Sequence, residues 1–573
     1  MEHRNAPFSA APRPEVRATI TRPEGSAAVD VAVDVAPLSL RTQQYRFLLD
    51  TSDAALERVD LTVFIPCDRA FSLTAERTLS QLHDAVVPPF PVGCFLVVVR
   101  EGATWQVDLP RCPQMQFRPV SGGVEAVCVA LDKRGAGLHF WGMEKLATHA
   151  GSLDLEVRIH AIPEVEDCVW VEPYPNGALA AICLTDHADW DSAEKMRLLA
   201  DLFEPHGFRL TKTVFPASDP GDHPYGLGLD DPAYRRQIDR LHAQGTEIAY
   251  HSFSPSRRPP PIEACRARID VMRAYDAVTW IDHSVGDYLL SRTGRLPGGE
   301  DLVALLSEAG VVNYWSYSDT WENPSTNLDI WAVRPPGDAY RDAMALASRK
   351  ERKGPAQLAY LATIPVKNGC GPVQYKAVAR NPLSPGAWSR LLAYRKALRR
   401  YHASPMALYD FGGQSVLTRS STHWIFDTVL VNHLAIQLAT ESLEDLVRRN
   451  GLLLGHCYVG SMPSYGGSNV FVGTDDAPAI HPRFAEAVAE IGRRQRIGEI
   501  VALPFNALRA SLDAFARTRL VHTDEGWSAE GGGLAFAGRR NPRFEGATLS
   551  RRGDVILATL PADQALQPEQ NPS

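Results

Sequence analysis

Alternating apolar and polar residues characterise the first third of the chain. Runs such as Val59–Ile65, Val124–Leu131 and Leu153–Ile159 alternate with a period of two and are separated by Gly, Pro and Asp. This period places apolar side chains on one face of a β-strand. The pattern predicts a β-sandwich-like domain over residues 16–172, interrupted by one helix around Leu73–His83.

The pattern changes near residue 177, where short apolar runs begin to alternate with segments of helical period. Such an alternation indicates βαβ units and a parallel sheet. Ser192 is a candidate N-cap of the first helix. The predicted helices cover Ser192–Phe203, Pro232–Ala243, Pro261–Tyr275, Glu300–Ala309, Ser442–Arg449, Pro482–Gln495 and Phe505–Arg517.

The changes in pattern also suggest the domain boundaries. Residues 1–15 are rich in Pro and Ala and are expected to be flexible. An α/β domain is predicted over 177–518, with a large insertion at about 320–440 that contains predicted helices at 387–402 and 424–439. Residues 519–573 return to short β-like pieces and end in a polar stretch that is expected to be disordered.

Composition narrows the class of protein. With 45% hydrophobic and 22% charged residues the chain is an ordinary globular protein. A net charge of −8 argues against a nucleic-acid surface, and the locally basic segments at 349–353 and 390–400 are interpreted as solvated helix faces. Nine cysteines without CxxC pairs suit a reducing compartment. The sequence shows neither a signal peptide nor an apolar stretch of about 18 residues, so a cytoplasmic protein without a membrane span is expected. The sequence leaves the oligomeric state open.

Polar side chains follow several of the predicted strands at their carboxyl ends. The first such strand ends in Asp186, His187 and Asp189, and later strands end in His251, His283 and His456. Parallel α/β folds gather these strand ends at one face. A bound metal that activates water needs about three protein ligands and an open position. His and Asp donors suit one divalent ion, with zinc the first candidate and manganese, cobalt or nickel the others.

These residues resemble motifs of the polysaccharide deacetylase (NodB-homology, carbohydrate esterase family 4) proteins over about 177–517. The resemblance implies a deformed (β/α) barrel that removes acyl groups from sugars with a divalent metal. The stretch Leu184–His187 corresponds to the family's T-F-D-D motif, which makes Asp186 the base. The stretch Leu453–Cys457 resembles its L-L-H-D motif, which makes His456 the acid.

The match departs from the family pattern at several positions. Pro255 stands where the second histidine of the H-S/T-x-x-H motif belongs, and His283 is a candidate to restore that imidazole. His187 and Asp189 compete for one ligand role, since His187 occupies the position of the family's metal-binding Asp. Asp282 is either a carboxylate that orients a histidine or an exposed turn residue.

The resulting prediction is an α/β protein with a NodB-type barrel, an N-terminal β-sandwich-like domain and a small β-rich tail. Its predicted function is the metal-dependent removal of an acyl group from a carbohydrate, and Trp315 and Trp321 are candidate residues for stacking on the sugar. Two alternatives stay open. One is the hydrolysis of a non-sugar amide on the same barrel, and the other is a catalytically inactive carbohydrate-binding protein.

Overall fold

A computed structural model describes most of residues 11–319 and 410–559. The gaps within these two ranges are 32, 52, 54, 57, 75–76, 84–94, 111–114, 133–151, 219–226, 257, 284–287, 291–292, 412–413, 416–423, 431–433, 435–437, 449–450, 463–469, 531–534, 541–547 and 553–554. The predicted helix at 387–402 therefore lies outside the described residues, as do most of the predicted flexible N-terminus and the end of the tail.

The N-terminal part consists of antiparallel strands. They are β1 (Glu15–Arg22), β2 (Gly25–Asp30), β3 (Val33–Pro37), β4 (Thr42–Asp50), β5 (Arg58–Pro66), β6 (Arg69–Leu73), β7 (Leu79–Gln81), β8 (Phe95–Arg100), β9 (Ala103–Asp108), β10 (Gln116–Val120), β11 (Gly123–Asp132) and β12 (Ser152–Ile162).

These strands form two sheets that share one apolar core. The orders are β10-β11-β5-β1-β2 and β3-β4-β12-β9-β8-β6-β7. Strand β5 shows the alternation that the sequence predicts, because Val59, Leu61, Val63 and Ile65 are buried while the residues between them are partly exposed. The helix predicted around Leu73–His83 is wrong, since this segment contains the end of β6 and strand β7.

The described residues after β12 contain eighteen further strands. They are β13 (Val169–Val171), β14 (Ala180–Asp186), β15 (Thr211–Val214), β16 (Glu247–Tyr250), β17 (Thr279–Trp280), β18 (Asn313–Asp319), β19 (Asp410–Phe411), β20 (Gln414–Ser415), β21 (Trp424–Leu430), β22 (Leu452–Cys457), β23 (Phe471–Thr474), β24 (Ala477–Ile480), β25 (Ile500–Ala502), β26 (Arg519–His522), β27 (Trp527–Glu530), β28 (Ala535–Gly538), β29 (Thr548–Arg552) and β30 (Val555–Thr559).

Eight of these strands make a parallel sheet in the order β15-β16-β17-β18-β21-β22-β14-β25. Strand β14 also pairs with β15, Thr185 opposite Thr211, so the run of strands returns to its beginning. Every residue of β14 is buried, which explains its continuous apolar sequence. The carboxyl ends of β14, β16, β17 and β22 thus lie at one edge of the sheet.

Helices connect the strands of this sheet. Their bounds are α1 (Ala193–Phe203), α2 (Pro232–Ala243), α3 (Ile262–Arg273), α4 (Leu302–Glu308), α5 (Thr440–Arg448), α6 (Pro482–Arg496) and α7 (Phe505–Arg517), with 3-10 turns at Val165–Asp167, Pro175–Gly177, Glu204–His206 and Pro297–Gly299.

All seven helices predicted from the periodic pattern outside the insertion are confirmed within a few residues. Ser192 caps α1 as predicted, since its side chain accepts a hydrogen bond from the Lys195 amide. The helix predicted at 424–439 is wrong over its first half, because Trp424–Leu430 forms strand β21, and most of 431–437 lies outside the described residues. No helix among the described residues is both long and apolar enough to cross a bilayer.

A polar network lies at the amino end of the parallel strands. The buried carboxylate of Glu247 accepts hydrogen bonds from Thr211, at 2.8 Å, and from Thr279, at 2.5 Å. The backbone amide of Asn506, at the start of α7, donates to the same carboxylate at 3.0 Å. This network ties three parallel strands and α7 together at the edge opposite the strand-end histidines.

The C-terminal strands do not form a separate tail. Strands β28, β29 and β30 join β13 in a four-stranded antiparallel sheet in the order β13-β28-β30-β29. Strand β13 leads into Glu172, whose buried carboxylate binds Arg77 of the N-terminal part at 2.7 and 2.8 Å. The C-terminal strands, β13 and the N-terminal sheets are therefore connected by hydrogen bonds and ion pairs.

The predicted fold class therefore has to be corrected. Among the described residues, antiparallel sheets of five, seven and four strands together contain more strands than the eight-stranded parallel sheet. The predicted β-rich C-terminal segment does contain strands, but they complete a sheet that begins before the parallel unit, because an edge strand such as β13 leaves backbone groups that need partners.

Candidate functional site

The predicted strand-end residues meet at the carboxyl edge of the parallel sheet. Asp186 is the last residue of β14, His251 follows β16, and His283 lies shortly after β17. His456, in β22, is paired in register with Thr185 of β14. All of these residues are buried. Tertiary packing thus brings together groups that are separated by up to 270 positions in the sequence.

Asp189 lies between two histidines. Its Oδ2 is 3.3 Å from Nε2 of His251, and its Oδ1 is 3.0 Å from Nε2 of His283. The Asp189 residue is 8% exposed and both histidines are more deeply buried. Each carboxylate oxygen therefore faces a different imidazole in a site from which bulk water is largely excluded.

The proton position of His251 follows from its second contact. Its Nδ1 lies 3.1 Å from the carbonyl oxygen of Ile281, and a carbonyl oxygen can only accept. Nδ1 therefore carries the proton, and Nε2 of the neutral ring presents a lone pair to Asp189. A backbone carbonyl that holds Nδ1–H in this way is the usual support of a histidine that binds a metal through Nε2.

His187 completes this group. Its ring centroid lies 4.6 Å from that of His251, and its Nε2 is buried with no hydrogen-bond partner among the described residues. One ligand atom from each of His187, Asp189 and His251 lies within 4.8 Å of the others. His187 also stacks on His456, with ring centroids 3.9 Å apart. His187 and Asp189, the two candidates for one ligand role, therefore both contribute a donor atom to this group.

Burial and mutual contacts set the charges in this group. Burial alone would raise the pKa of Asp189, but the hydrogen bond from His283 acts in the opposite direction, and that pKa lies well below the usual range. Burial lowers the pKa of His251 to about 4 and that of His187 well below its ordinary value, with neighbouring imidazoles adding to the second effect. The group therefore combines an anionic carboxylate with neutral imidazoles at neutral pH.

Lys212 and Asp191 belong to the site and were not predicted. The Nζ of Lys212 lies 2.6 Å from Oδ2 of Asp186 and 2.7 Å from Oδ2 of Asp191. The hydroxyl of Tyr234 donates to the same Asp191 oxygen at 2.7 Å. A lysine within the apolar strand around 209–215 was the signal that could have revealed this network, because a buried ammonium needs an anionic partner.

One ammonium in this network faces two carboxylates. Burial raises the pKa values of Asp186 and Asp191, and Lys212 offsets only part of that effect. Burial lowers the pKa of Lys212, but the two carboxylates raise it by more. Asp186 also accepts from the Val459 amide at 2.6 Å through Oδ1. Both of its oxygens therefore have partners, so this geometry suits an electrostatic role better than that of an unengaged base.

The backbone is strained next to two of these residues. Trp190, after Asp189, has φ +63°, and Ser252, after His251, also has φ +63°. Bulky residues rarely adopt this left-handed region, and such strain clusters at functional sites. The Ser252 hydroxyl donates to the Ser254 carbonyl at 2.6 Å and so stabilises the turn.

Aromatic rings surround the histidines. Trp315 lies 5.0 Å from the ring of His187 and is buried, with its indole N–H donating to Thr428 at 2.9 Å. Tyr458 lies 5.1 Å from His187 and is partly exposed, as is Trp190. Trp321, the other predicted substrate residue, lies outside the described residues.

Asp282 is not the exposed turn residue of the second alternative. It is fully buried, and its Oδ1 accepts hydrogen bonds from the Trp280 indole at 2.5 Å and from the Leu290 amide at 3.4 Å. These contacts hold the chain after β17, from which His283 extends. Asp282 therefore supports the backbone that carries His283.

A small cleft lies elsewhere, where the N-terminal sheet meets β13 and β26. Its charged lining residues include Glu156, Arg158 and Asp108. Arg158 pairs with Glu156 and Glu530, and Asp108 contacts Gln106 and His160. Because these charges are engaged with each other, we place the candidate chemistry at the histidine cluster.

No protein-family model and no curated protein matches this chain. Among solved structures it is similar to a Glycoside Hydrolase Family 97 enzyme in complex with acarbose from Pseudoalteromonas sp. strain K8, with 11% identity, coverage of 55% of this chain and 60% of that chain, and a TM-score of 0.22. It is also similar to a cycloalternan-degrading enzyme from Trueperella pyogenes, with 10% identity, coverage of 97% of this chain and 95% of that chain, and a TM-score of 0.23. A third similar structure is an ER glucosidase II complex, with 9% identity, coverage of 96% of this chain and 71% of that chain, and a TM-score of 0.24.

These proteins are named as glycoside hydrolases and not as deacetylases. This finding contradicts the predicted acyl-removing function, its alternatives and the NodB-type barrel, and we do not retain them. TM-scores of 0.22 to 0.24 are too low to transfer a fold or an activity in their place. The chain also spans only 60% of the family 97 enzyme. The chemistry must therefore be argued from the residues of the site.

Proposed function

We propose that this protein is a metal-dependent hydrolase that acts on a carbohydrate. One divalent ion would be held by His187, Asp189 and His251. Two imidazoles and one carboxylate form a donor set that suits zinc, with manganese, cobalt and nickel as the other candidates. Three protein ligands leave a coordination position open, which distinguishes a catalytic site from a structural one.

The observation that carries this proposal is the contact between His251 and Asp189. Nδ1 of His251 donates to Ile281, so the Nε2 lone pair faces a carboxylate oxygen at 3.3 Å. Two electron-rich atoms at this separation in a buried site repel each other unless a cation lies between them. His187 adds a third donor within 4.8 Å, and its Nε2 lacks a described partner.

The ion and the protein would each supply a different part of the reaction chemistry. A bound divalent ion supplies a Lewis acid and lowers the pKa of a coordinated water. His456, stacked at 3.9 Å on His187, is placed to transfer a proton to a leaving group. Asp186 and Asp191 both bind the ammonium of Lys212, which fixes the end of strand β14 from which His187 and Asp189 extend.

The aromatic residues support a carbohydrate as the substrate. Trp190 and Tyr458 are partly exposed, with ring centroids 5.6 Å apart, next to the histidines. Flat apolar rings combined with a few polar groups are typical of small-molecule sites.

Elemental analysis of the purified protein by mass spectrometry, combined with activity on a panel of p-nitrophenyl substrates that includes glycosides, tests the proposal. We expect about one divalent ion per chain, and we expect turnover that chelation abolishes and added zinc restores. His187→Met and His251→Met should each remove the ion and the activity.

A buried His–Asp pair outside the site provides the matched control. Nε2 of His160 lies 3.2 Å from Oδ2 of Asp108 in the N-terminal sheet. His160→Met should retain the metal and the activity. Turnover that survives complete removal of the metal, or a protein without a stoichiometric ion, would contradict the proposal.

A further inference from the structure

His283 resembles His251 in its contact with Asp189 but differs in what it can donate. Its Nε2 lies 3.0 Å from Oδ1 of Asp189, and an ionised carboxylate oxygen can only accept. In His251 the proton is held on Nδ1 by the Ile281 carbonyl. For His283 the hydrogen bond requires the proton on Nε2, so that nitrogen is a donor and presents no lone pair.

We infer that His283 is a positioning residue, which orients Asp189 as a ligand by donating to the oxygen that faces away from His251. This inference rests on the proposed metal site and names a role for a residue outside its ligand set. The two oxygens of Asp189 are divided between two tasks. Oδ2 contacts Nε2 of His251, whereas Oδ1 is held by His283.

Two further observations support this role. The group of three donors that could hold an ion contains His187, Asp189 and His251 and does not contain His283. The His283 ring also packs edge-on against Phe215, the residue that follows strand β15, with centroids 5.1 Å apart, so an aromatic contact helps to fix its position. A ring held in this way keeps the carboxylate of Asp189 in one orientation before an ion binds.

Outer hydrogen bonds of this kind change metal affinity by about 10- to 100-fold without supplying a ligand. The test uses His283→Gln, which retains an N–H donor, and His283→Met, which is of similar length and has none. Zinc affinity is measured by competition with a chromogenic chelator, and zinc content is measured at saturation.

We expect His283→Met to weaken zinc binding by about 10- to 100-fold while still reaching the wild-type zinc content at saturation. We expect His283→Gln to bind zinc close to wild type, and His251→Met to hold no zinc at any concentration. His160→Met is the control for loss of a buried His–Asp pair.

Three results with the variants would overturn the inference. A His283→Met protein that never reaches the wild-type zinc content would make His283 a ligand. Unchanged zinc affinity in His283→Met, or a His283→Gln protein as weak as His283→Met, would show that its hydrogen bond positions nothing. A wild-type protein that binds no divalent ion would refute the proposed function and this inference together, whereas a bound ion without turnover would refute the hydrolase alone.

Discussion

The ammonium nitrogen of Lys212 lies 2.6 Å from Oδ2 of Asp186, and both side chains are at most 1% exposed. This ion pair connects strand β14 with its neighbour β15, where the two residues are in register. Asp191 shares the same ammonium at 2.7 Å. The strand end that carries the candidate metal site is therefore built on a buried charge network.

Replacing Lys212 by Met should destabilise this region by about 3–5 kcal/mol, because two buried carboxylates lose their cation. Urea unfolding followed by intrinsic fluorescence measures the change. Lys195→Met is the matched control, since Lys195 is also buried but its partner Asp475 is 47% exposed and can be rehydrated. Equal effects of the two substitutions would show that the Lys212 network is not energetically special.

Gly460 should not tolerate a side chain. A Cβ at this position would lie 2.4 Å from Oδ1 of Asp191. Overpacking of this kind destabilises by about 1–3 kcal/mol, so Gly460→Ala should lower the free energy of unfolding by that amount. A double-mutant cycle with Asp191→Ala should show coupling, because removal of the carboxylate removes the clash. Purely additive effects would place the strain elsewhere.

Stability should fall as the pH decreases from about 6.5 towards 4, in part through His522. Burial lowers its pKa to about 4, while its Nδ1 contacts the Ala161 carbonyl at 2.7 Å. In this window the unfolded chain binds a proton that the folded chain does not, so protonation favours unfolding, by up to about 1.4 kcal/mol per pH unit.

Urea titrations of wild type and His522→Gln at pH 7.5 and pH 5 measure this contribution. The loss of the hydrogen bond to Ala161 acts at both pH values, so only the difference between them reports on titration. His187 and His251 also have lowered pKa values and act in the same direction, but they are present in both proteins. The same pH dependence in both proteins would contradict a role for His522.

Removal of the metal should lower the unfolding temperature of the parallel-sheet region. A ligand that binds only the folded state stabilises it by about 2.7 kcal/mol at a free concentration 100 times its Kd. Scanning calorimetry with and without chelator measures the shift, and added zinc should reverse it. His187→Met should unfold at the temperature of the chelated wild type whether or not zinc is added; a zinc-dependent shift in this variant would count against His187 as a ligand.

The hydrophobic pattern of the sequence determined the local structure. In β5 every second residue is buried, and α1 has a helical period with a capping serine. Both patterns involve only residues close in sequence, so they predict the local structure without knowledge of the tertiary fold. Leu79–Gln81 and Trp424–Leu430, both predicted to be helical, are strands because sheet neighbours supply hydrogen-bond partners that the local pattern does not reveal.

The residue types at the strand ends likewise pointed to Asp186, His187, Asp189, His251, His283 and His456. Only the tertiary structure decided how they divide their roles. The Ile281 carbonyl fixes the proton of His251 on Nδ1, and Lys212 on the adjacent strand is the cationic partner of Asp186. The direction of a hydrogen bond and the partner of a buried charge depend on neighbours that are distant in sequence, so no spacing along the chain could show that His283 donates while His251 presents a lone pair.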